Sequence, residues 1–129
     1  MRLSRLICLL GVLSLATACA SPPTDDQVRA ADTGPYPSNY EQIVKDNFAT
    51  SLFDPYSAVF QFTRTPTKGF GGSPIAGAKI GWIVCGTVNA KNRMGGYVGT
   101  KPFVVVISNG AVIHREIDTP TAARCPAGG

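Results

Sequence analysis

The chain has 129 residues and a formal net charge of +4. This length has room for one domain with a modest core, in which a cross-link adds noticeably to stability. From Asn39 onward, nine lysines and arginines face five acidic residues. Such a surplus is compatible with lipid headgroups or a cell-wall polymer, but it lacks the clustered basic stripe of a nucleic-acid binder. Nucleic acid is therefore not an expected partner.

The first 18 residues have the pattern of an export signal. Arg2 and Arg5 precede an apolar run from Leu6 to Ala16, which is the length that a secretory signal peptide uses. The run is too short for a membrane-spanning helix, which needs about 20 apolar residues. We expect residues 1–18 to be a signal peptide that is removed during export.

The end of this run, Leu15-Ala16-Thr17-Ala18-Cys19, resembles the lipobox of bacterial lipoproteins. The resemblance implies that Cys19 becomes the acylated N-terminus, although Ala16 stands where the motif more often has a leucine-like residue. The position after the cysteine is Ala20; in the enterobacterial sorting rule that this resembles, the absence of aspartate there implies transfer to the outer membrane. We expect the domain to face the periplasm. The alternative is plain secretion with cleavage after Ala18 or Ala20, since both positions fit the A-x-A pattern.

Four cysteines are present. Cys8 lies in the removed segment and Cys19 would carry lipid, which leaves Cys85 and Cys125. In an oxidising periplasm these two predict one disulfide. A redox pair or a metal site is the alternative, but there is no C-x-x-C spacing and a single histidine, so we expect neither a metal nor a cofactor.

Residues 19–38 are mostly small, polar, acidic or proline, with no apolar period, and predict a flexible lipid-anchored tether. Residues 39–129 predict one small domain. A capping box at 38–41 starts a helix that ends before Asp54-Pro55, because a residue that precedes proline avoids helical angles. The apolar or small stripe of this helix is Tyr40, Ile43, Val44, Phe48, Ser51 and Leu52.

Four strands follow, at 58–63, 79–89, 103–107 and 111–117, and the stretches 65–78 and 90–101 read as glycine-rich loops. The uninterrupted apolar run at 103–107 is typical of a central strand, and Asn109-Gly110 favours a type I′ hairpin turn. We predict an α+β fold with one N-terminal helix packed on a four-stranded antiparallel sheet and one disulfide. The aromatic residues, Phe53 among them, are expected to fill the helix–sheet interface.

Two constellations could carry chemistry. His114 and Glu116 share one face of a strand, but no G-x-S-x-G supplies a nucleophile, so a solvated pair is expected and no catalytic residue is assigned. The second is a glycine-rich loop that lacks the spacing of a Walker phosphate loop. Its cations, amide and ring suit a polymer or a partner protein, and turn chemistry alone is the alternative. The predicted binding-loop residues are Lys91, Asn92, Arg93, Tyr97 and Lys101.

Three segments, 54–60 (DPYSAVF), 84–92 (VCGTVNAKN) and 95–99 (GGYVG), resemble a group of small exported bacterial proteins of unknown function. The resemblance spans most of residues 39–112. It implies a shared fold and export but no activity, and it suggests that Asn89 and Asn92 close the loop through side-chain hydrogen bonds.

Together these patterns predict a lipid-anchored envelope protein with a non-catalytic interaction or structural domain. Its partners would be the membrane, through the lipid, and an envelope protein or an anionic polymer. One alternative is a small envelope enzyme or enzyme inhibitor. Another is a lipoprotein component of a secretion or conjugation apparatus, which rests on size and anchor alone.

Overall fold

The computed structural model describes residues 19–125, so the predicted signal peptide at 1–18 and the last four residues lie outside the described part. The elements are α1 (Asp25–Ala30), α2 (Tyr40–Ala49), β1 (Asp54–Phe62), β2 (Thr67–Gly71), β3 (Lys79–Lys91), β4 (Lys101–Ser108), β5 (Ala111–Ile117) and α3 (Pro120–Arg124). The α+β class and the antiparallel sheet are confirmed. The sheet has five strands rather than the four predicted, and three helices occur among residues 19–125 rather than one.

The sheet is built around β3, its longest strand, with 13 residues. One side of β3 pairs with β4, and β5 follows beyond it. The other side pairs with β2 over its first half and with β1 over its second half. β1 and β2 therefore follow each other along the same side of β3, and β1 and β5 are the outer strands of the path β1-β3-β4-β5.

Strand β2 lies in the stretch 65–78 that the sequence predicts as a loop. Its glycines hide any alternation of apolar residues, yet the fold requires at least one of them. A Cβ on Gly71 would lie 2.7 Å from Cγ2 of Val106 and 3.2 Å from Cδ2 of His114. Glycine allows β2 to lie against β4 and β5 at this point, so the predicted loop is corrected to a strand.

The main core lies between α2 and one face of the sheet, which we call the first face. Val44 and Phe48 of α2 are fully buried, as the predicted stripe requires. The ring of Phe48 lies 5.4 Å from Phe60 and 5.2 Å from Phe103, measured between centroids. The predicted capping box is wrong: Asn39 is the N-cap and makes no side-chain capping hydrogen bond.

The second face of the sheet is covered in part by α3, at the end of the chain. Cys85 and Val106 are buried there together with Ala122 of α3. A disulfide joins Cys85 and Cys125, with their Cα atoms 5.7 Å apart, so the predicted bridge is confirmed. All five residues from 103 to 107 are fully buried, as predicted for a central strand.

The hairpin between β4 and β5 has the predicted turn. Asn109 and Gly110 both have positive φ, at 50° and 75°. A type I′ turn requires positive φ at its two central residues, and Asn-Gly adopts these angles at low cost. The dipeptide sets the register of the first two pairs, Ser108 with Ala111 and Ile107 with Val112, after which an irregularity shifts the pairing to Val106 with His114.

The segment predicted as a flexible tether is folded from Thr24 onward. Thr24 and Gln27 form a reciprocal capping box at the start of α1, and Val28 is buried. Further along, the backbone oxygen of Thr33 accepts from the amide of Asn109 at 2.9 Å, and that of Gly34 accepts from Nε1 of Trp82 at 3.3 Å. The domain thus begins near residue 24 rather than 39. A six-residue helix with one buried side chain gives no detectable apolar period.

Candidate functional site

The predicted binding loop connects β3 to β4 and is closed by the side chain of Asn92. Its Oδ1 accepts from the backbone amides of Met94 at 2.9 Å and Gly96 at 3.2 Å. The amide of Asn92 in turn donates to the carbonyl of Gly96 at 2.9 Å. These bonds fold residues 92–96 into a compact turn, which confirms the structural role expected for Asn92.

A second asparagine fixes the returning half of the loop. Oδ1 of Asn89 accepts from the amide of Gly99 at 3.1 Å, and the amide of Val98 donates to the carbonyl of Ala90 at 3.2 Å. Asn89 lies on β3 itself, so the loop is attached to the most central strand of the sheet. The expectation that both asparagines close the loop is confirmed.

Ser57 attaches β1 to the same loop. Its amide and hydroxyl bond to Asp54, and its Oγ also accepts from the amide of Lys91 at 3.3 Å. Its carbonyl accepts from the hydroxyl of Tyr97 at 3.0 Å. The pairing of β1 with β3 is irregular between Asp54 and Val59, where these bonds replace the regular ladder. Three segments that are separate in sequence thus converge at one end of the sheet.

The cations of the predicted binding loop all have partners within the domain. Nζ of Lys91 lies 5.4 Å from the ring centroid of Tyr97, and Cζ of Arg93 lies 5.6 Å from that of Phe53. Nζ of Lys101 lies 3.0 Å from Oδ2 of Asp118. The structure therefore brings Lys91, Asn92, Arg93 and Tyr97 together, whereas Lys101 is directed to an ion pair next to β5.

This end of the domain exposes several large apolar side chains. Tyr56 is completely exposed, Met94 is 93 % exposed and Phe53 is 62 % exposed, while about half of the surface of Tyr97 and Val98 is accessible. The prediction that Phe53 fills the helix–sheet interface is wrong. We call the five residues Phe53, Tyr56, Met94, Tyr97 and Val98 the loop surface.

The loop surface lies far from the segment that enters the domain. Residues 33 and 34 contact Asn109 and Trp82, and α1 packs on β2. These contacts surround the first part of β3, whereas the loop surface adjoins its last residue, Lys91. Trp82 and Lys91 are nine residue steps apart along the strand, a distance of about 30 Å. The entering segment and the loop surface thus occupy opposite ends of β3.

His114 and Glu116, the acid–base pair noted in the sequence, belong to a separate network on the second face. Nε2 of His114 lies 2.9 Å from Oε1 of Glu116, whose Oε2 accepts from the Thr119 hydroxyl at 2.7 Å. The hydrogen bond with His114 has the largest effect on the pKa of the Glu116 carboxyl and lowers it; burial raises this pKa, and the hydrogen bond from Thr119 lowers it further, so the net pKa is below its ordinary value. The same Thr119 oxygen caps α3 by accepting from the amide of Ala122.

This network joins β5 to α3. Because Glu116 lies between His114 and Thr119, the Thr119 hydroxyl is directed to the carboxylate and not to the imidazole. A catalytic nucleophile would need the reverse order, with the base next to the hydroxyl. Glu116, oriented by His114, holds the side chain of Thr119, which caps the start of α3.

Within residues 19–125, no group of three or more histidine, cysteine, aspartate or glutamate side chains is placed to hold a metal ion. No helix of the same part of the chain is long and apolar enough to cross a membrane. Comparisons of the chain with protein-family models, with curated proteins and with solved structures give no significant match.

Proposed function

We propose that this chain is an exported bacterial lipoprotein, anchored in the outer membrane through acyl chains on Cys19 and facing the periplasm. Its domain is a non-catalytic module that binds another envelope protein through the loop surface. The observation that carries this proposal is the set of exposed apolar side chains on a hydrogen-bonded framework at one end of β3. Contiguous exposed apolar side chains commonly mark interaction sites.

Export and anchoring are supported by the sequence of residues 1–19 and by the cysteine chemistry. Cys19 is exposed and carries a free thiol in the described part of the chain. Cys85 and Cys125 form a disulfide, which persists in oxidising compartments such as the periplasm. Acylation of Cys19 and the disulfide between Cys85 and Cys125 would thus account for each cysteine outside the signal peptide, and both suit a location in the envelope.

The fold also bears on how the domain is held at the membrane. Because it begins at Thr24, only five Cα steps separate it from Cys19, a reach of at most about 18 Å. The domain would stay close to the bilayer. Since the loop surface lies at the end of β3 opposite to the entering segment, anchoring leaves it accessible to a partner.

A protein partner fits the loop surface better than an anionic polymer does. Aromatic side chains, methionine and arginine are enriched at protein interfaces, and Phe53, Tyr56, Met94 and Arg93 supply all three. A polymer of negative charge would instead need several accessible cations, whereas here Lys101 is in an ion pair and Lys91 and Arg93 lie over aromatic rings. The framework around Asn92 also fixes the loop before binding, which lowers the entropic cost of association.

The proposal is tested by site-specific photocrosslinking of the full-length chain in a bacterium with two membranes. A photoreactive amino acid is placed at Met94 and, as a matched control, at Ile75. These two side chains are equally exposed, at 93 % and 89 %, but Ile75 lies in the β2–β3 loop, outside the loop surface. We expect an adduct with one envelope protein from Met94 and none from Ile75.

A further variant separates specific binding from chance contact. Tyr56 is fully exposed, so Tyr56→Asp leaves the fold intact while it puts a charge into the loop surface. The Met94 adduct should then fall at least tenfold in yield, as expected when a charge enters the apolar centre of an interface. Equal adducts from Met94 and Ile75, or a Met94 adduct that survives Tyr56→Asp, would contradict the proposal.

A further inference from the structure

The outer side of β1 is an unprotected sheet edge. Residues 55–63 contain no charged side chain. Natural edge strands usually carry charges, inward-pointing polar groups or a covering element, because an open edge offers a row of backbone groups to any other strand. Pro55 and the irregular pairing between Asp54 and Val59 disrupt the first part of this edge. Residues 59–63 pair regularly with β3 and are suited to pair with a further strand.

The ladder with β3 shows which groups point outward. The amide of Thr63 donates to the carbonyl of Cys85 at 3.1 Å, so Thr63 is a hydrogen-bonded position of the pair. Because these positions alternate in an antiparallel ladder, Gln61 also bonds to β3, whereas the N–H and C=O groups of Phe60 and Phe62 point away from it. Within residues 19–125, no backbone bond outside the strand ladders reaches Phe60 or Phe62.

Helix α2 runs beside this edge on the first face. Its residues Gln42, Lys45, Asp46 and Ala49, spaced as one side of a helix, line a groove of about 520 Å³ together with Pro55, Tyr56, Ala58 and Phe60. The Tyr40 ring lies 5.5 Å from Phe62 at one end, and Leu52 lines the groove with Tyr56 at the other. The helix is thus antiparallel to β1, and Lys45 and Asp46 lie beside the middle of the strand.

We infer that the occupant of this groove and edge is a second copy of the chain. β1 pairs with β1 of the second copy in antiparallel fashion about a twofold axis near Phe60, and α2 lies beside α2. The same axis sets Lys45 of each copy against Asp46 of the other. Within its own helix, Nζ of Lys45 lies 3.6 Å from Oε2 of Glu41, and Asp46 accepts from Nε2 of Gln42 at 2.6 Å. All of these side chains are on the solvent side of the helix, so this side carries both signs of charge and is complementary to itself rather than to a strongly basic or strongly acidic partner.

The pairing is compatible with anchoring of both copies to one membrane. The axis is perpendicular to the sheet, so it can coincide with the membrane normal, and the linker of each copy then reaches the same bilayer. Met94, at the far end of β3, stays outside the new interface. Tyr56 belongs to both surfaces, because it also lines the groove, so the self-association is tested through Lys45 and Asp46, which lie outside the loop surface.

The test is sedimentation of the full chain carrying Cys19→Ser, which removes the acyl chains, with the concentration raised to about 100 μM. We expect a reversible monomer–dimer equilibrium. Lys45→Asp or Asp46→Lys alone should weaken the dimer about tenfold or more, because each sets like charges against each other across the axis. The double variant Lys45→Asp/Asp46→Lys should restore it to within about threefold.

Lys79→Asp is the matched control, since it makes the same charge change at an exposed position away from β1. It should leave the dimer unchanged, and far-UV circular dichroism should show that all variants keep the fold. A chain that stays monomeric at every concentration overturns the inference. A dimer that is indifferent to Lys45→Asp and Asp46→Lys also overturns it. Neither result would alter the Met94 crosslink, so the proposed binding partner would stand or fall separately.

Discussion

Strands β1 and β5, at the two ends of the strand path, differ in how many of their side chains bind other parts of the same molecule. On β5, Nη1 of Arg115 donates to the side chain of Asn47 at 3.0 Å and to its carbonyl at 3.3 Å, and the guanidinium lies 4.8 Å from the Phe48 ring. On the same strand, Glu116 binds His114 and Thr119. Residues 55–62 of β1 have no charged side chain and leave Tyr56 fully exposed.

This difference indicates which side of the sheet stabilises the fold and which side is available for association. The charged residues of β5 are joined to α2 and α3 of the same molecule, so substitutions there should reduce stability. The exposed side chains of β1 and of the adjoining loop, such as Tyr56, Gln61 and Met94, have few such contacts, so substitutions there should alter association and leave stability almost unchanged.

The largest effect is expected on the β5 side, where the disulfide holds α3 on the second face. Cys85→Ala/Cys125→Ala should lower the free energy of unfolding by about 2–4 kcal/mol, because it frees a loop closed over a sequence separation of 40 residues. Urea denaturation of both proteins measures the difference. Cys19→Ser, which touches neither partner, is the control and should unfold like the wild type. Equal stability of the double variant would show that the bridge does not hold α3.

The next effect is that of Arg115→Ala. It removes the bonds to Asn47 and the contact with Phe48, and should cost about 1–3 kcal/mol of unfolding free energy. Lys79→Ala, at an exposed position, should change it by less than about 0.5 kcal/mol. If the two variants unfold at the same urea concentration, the β5 edge is not held closed by Arg115.

Because of the Glu116 network, the free energy of unfolding should fall at acidic pH. Hydrogen bonding lowers the pKa of Glu116 in the folded state below the ordinary value of 4.5. Its stabilising effect is therefore complete above that value and is lost as the pH falls through the lowered folded pKa. Between about pH 6 and pH 3, the wild type should lose more unfolding free energy than Glu116→Gln does. Parallel acid profiles for the two proteins would argue against this network.

Asn92→Ala should have a small effect on stability and a large one on binding. The bonds it removes are exposed, so the unfolding free energy should fall by no more than about 1 kcal/mol. The Met94 crosslink should nevertheless weaken severalfold, because the loop is no longer fixed. Asn92→Asp keeps the accepting Oδ1 and should restore most of the yield. A crosslink indifferent to Asn92→Ala would mean that the framework does not support binding.

The smallest effect on stability is expected from Gln61→Lys, which places a charge on the exposed middle of β1. The unfolding free energy should change by less than about 0.5 kcal/mol. The dimer should weaken about threefold or more, since charged side chains discourage edge pairing. This view would be contradicted if Gln61→Lys lowered the unfolding free energy as much as Arg115→Ala does and left the affinity of the dimer unchanged.

The sequence predicts those elements whose apolar pattern is long or whose turn chemistry is specific. The run at 103–107 is buried as expected, Asn109-Gly110 forms its turn, and Cys85 meets Cys125. β2 and α1 were missed because each has very few buried apolar side chains. For β2 the cause is glycine, since close approach to Val106 excludes a side chain at Gly71.

The binding loop is predicted only in part for a similar reason. The sequence identifies the cluster around Lys91 and Tyr97, and the asparagines that close it. It misassigns Phe53 to the core, because nothing in a local pattern distinguishes an aromatic residue that faces inward from one left exposed beyond the end of a helix. Tyr56 and Met94 belong to the same surface only through contacts between segments that are distant in sequence.

The anchor is tested most directly by the intact mass of the mature protein, purified without reduction from a bacterium with two membranes, beside the Cys19→Ser variant. We expect the mass of the chain from Cys19 plus its acyl groups, less the two hydrogens lost in the Cys85–Cys125 bond. The acyl mass should be absent from the variant. A mature protein without acyl groups, beginning at any other residue, would contradict the lipoprotein proposal and leave a secreted domain whose partners lie elsewhere.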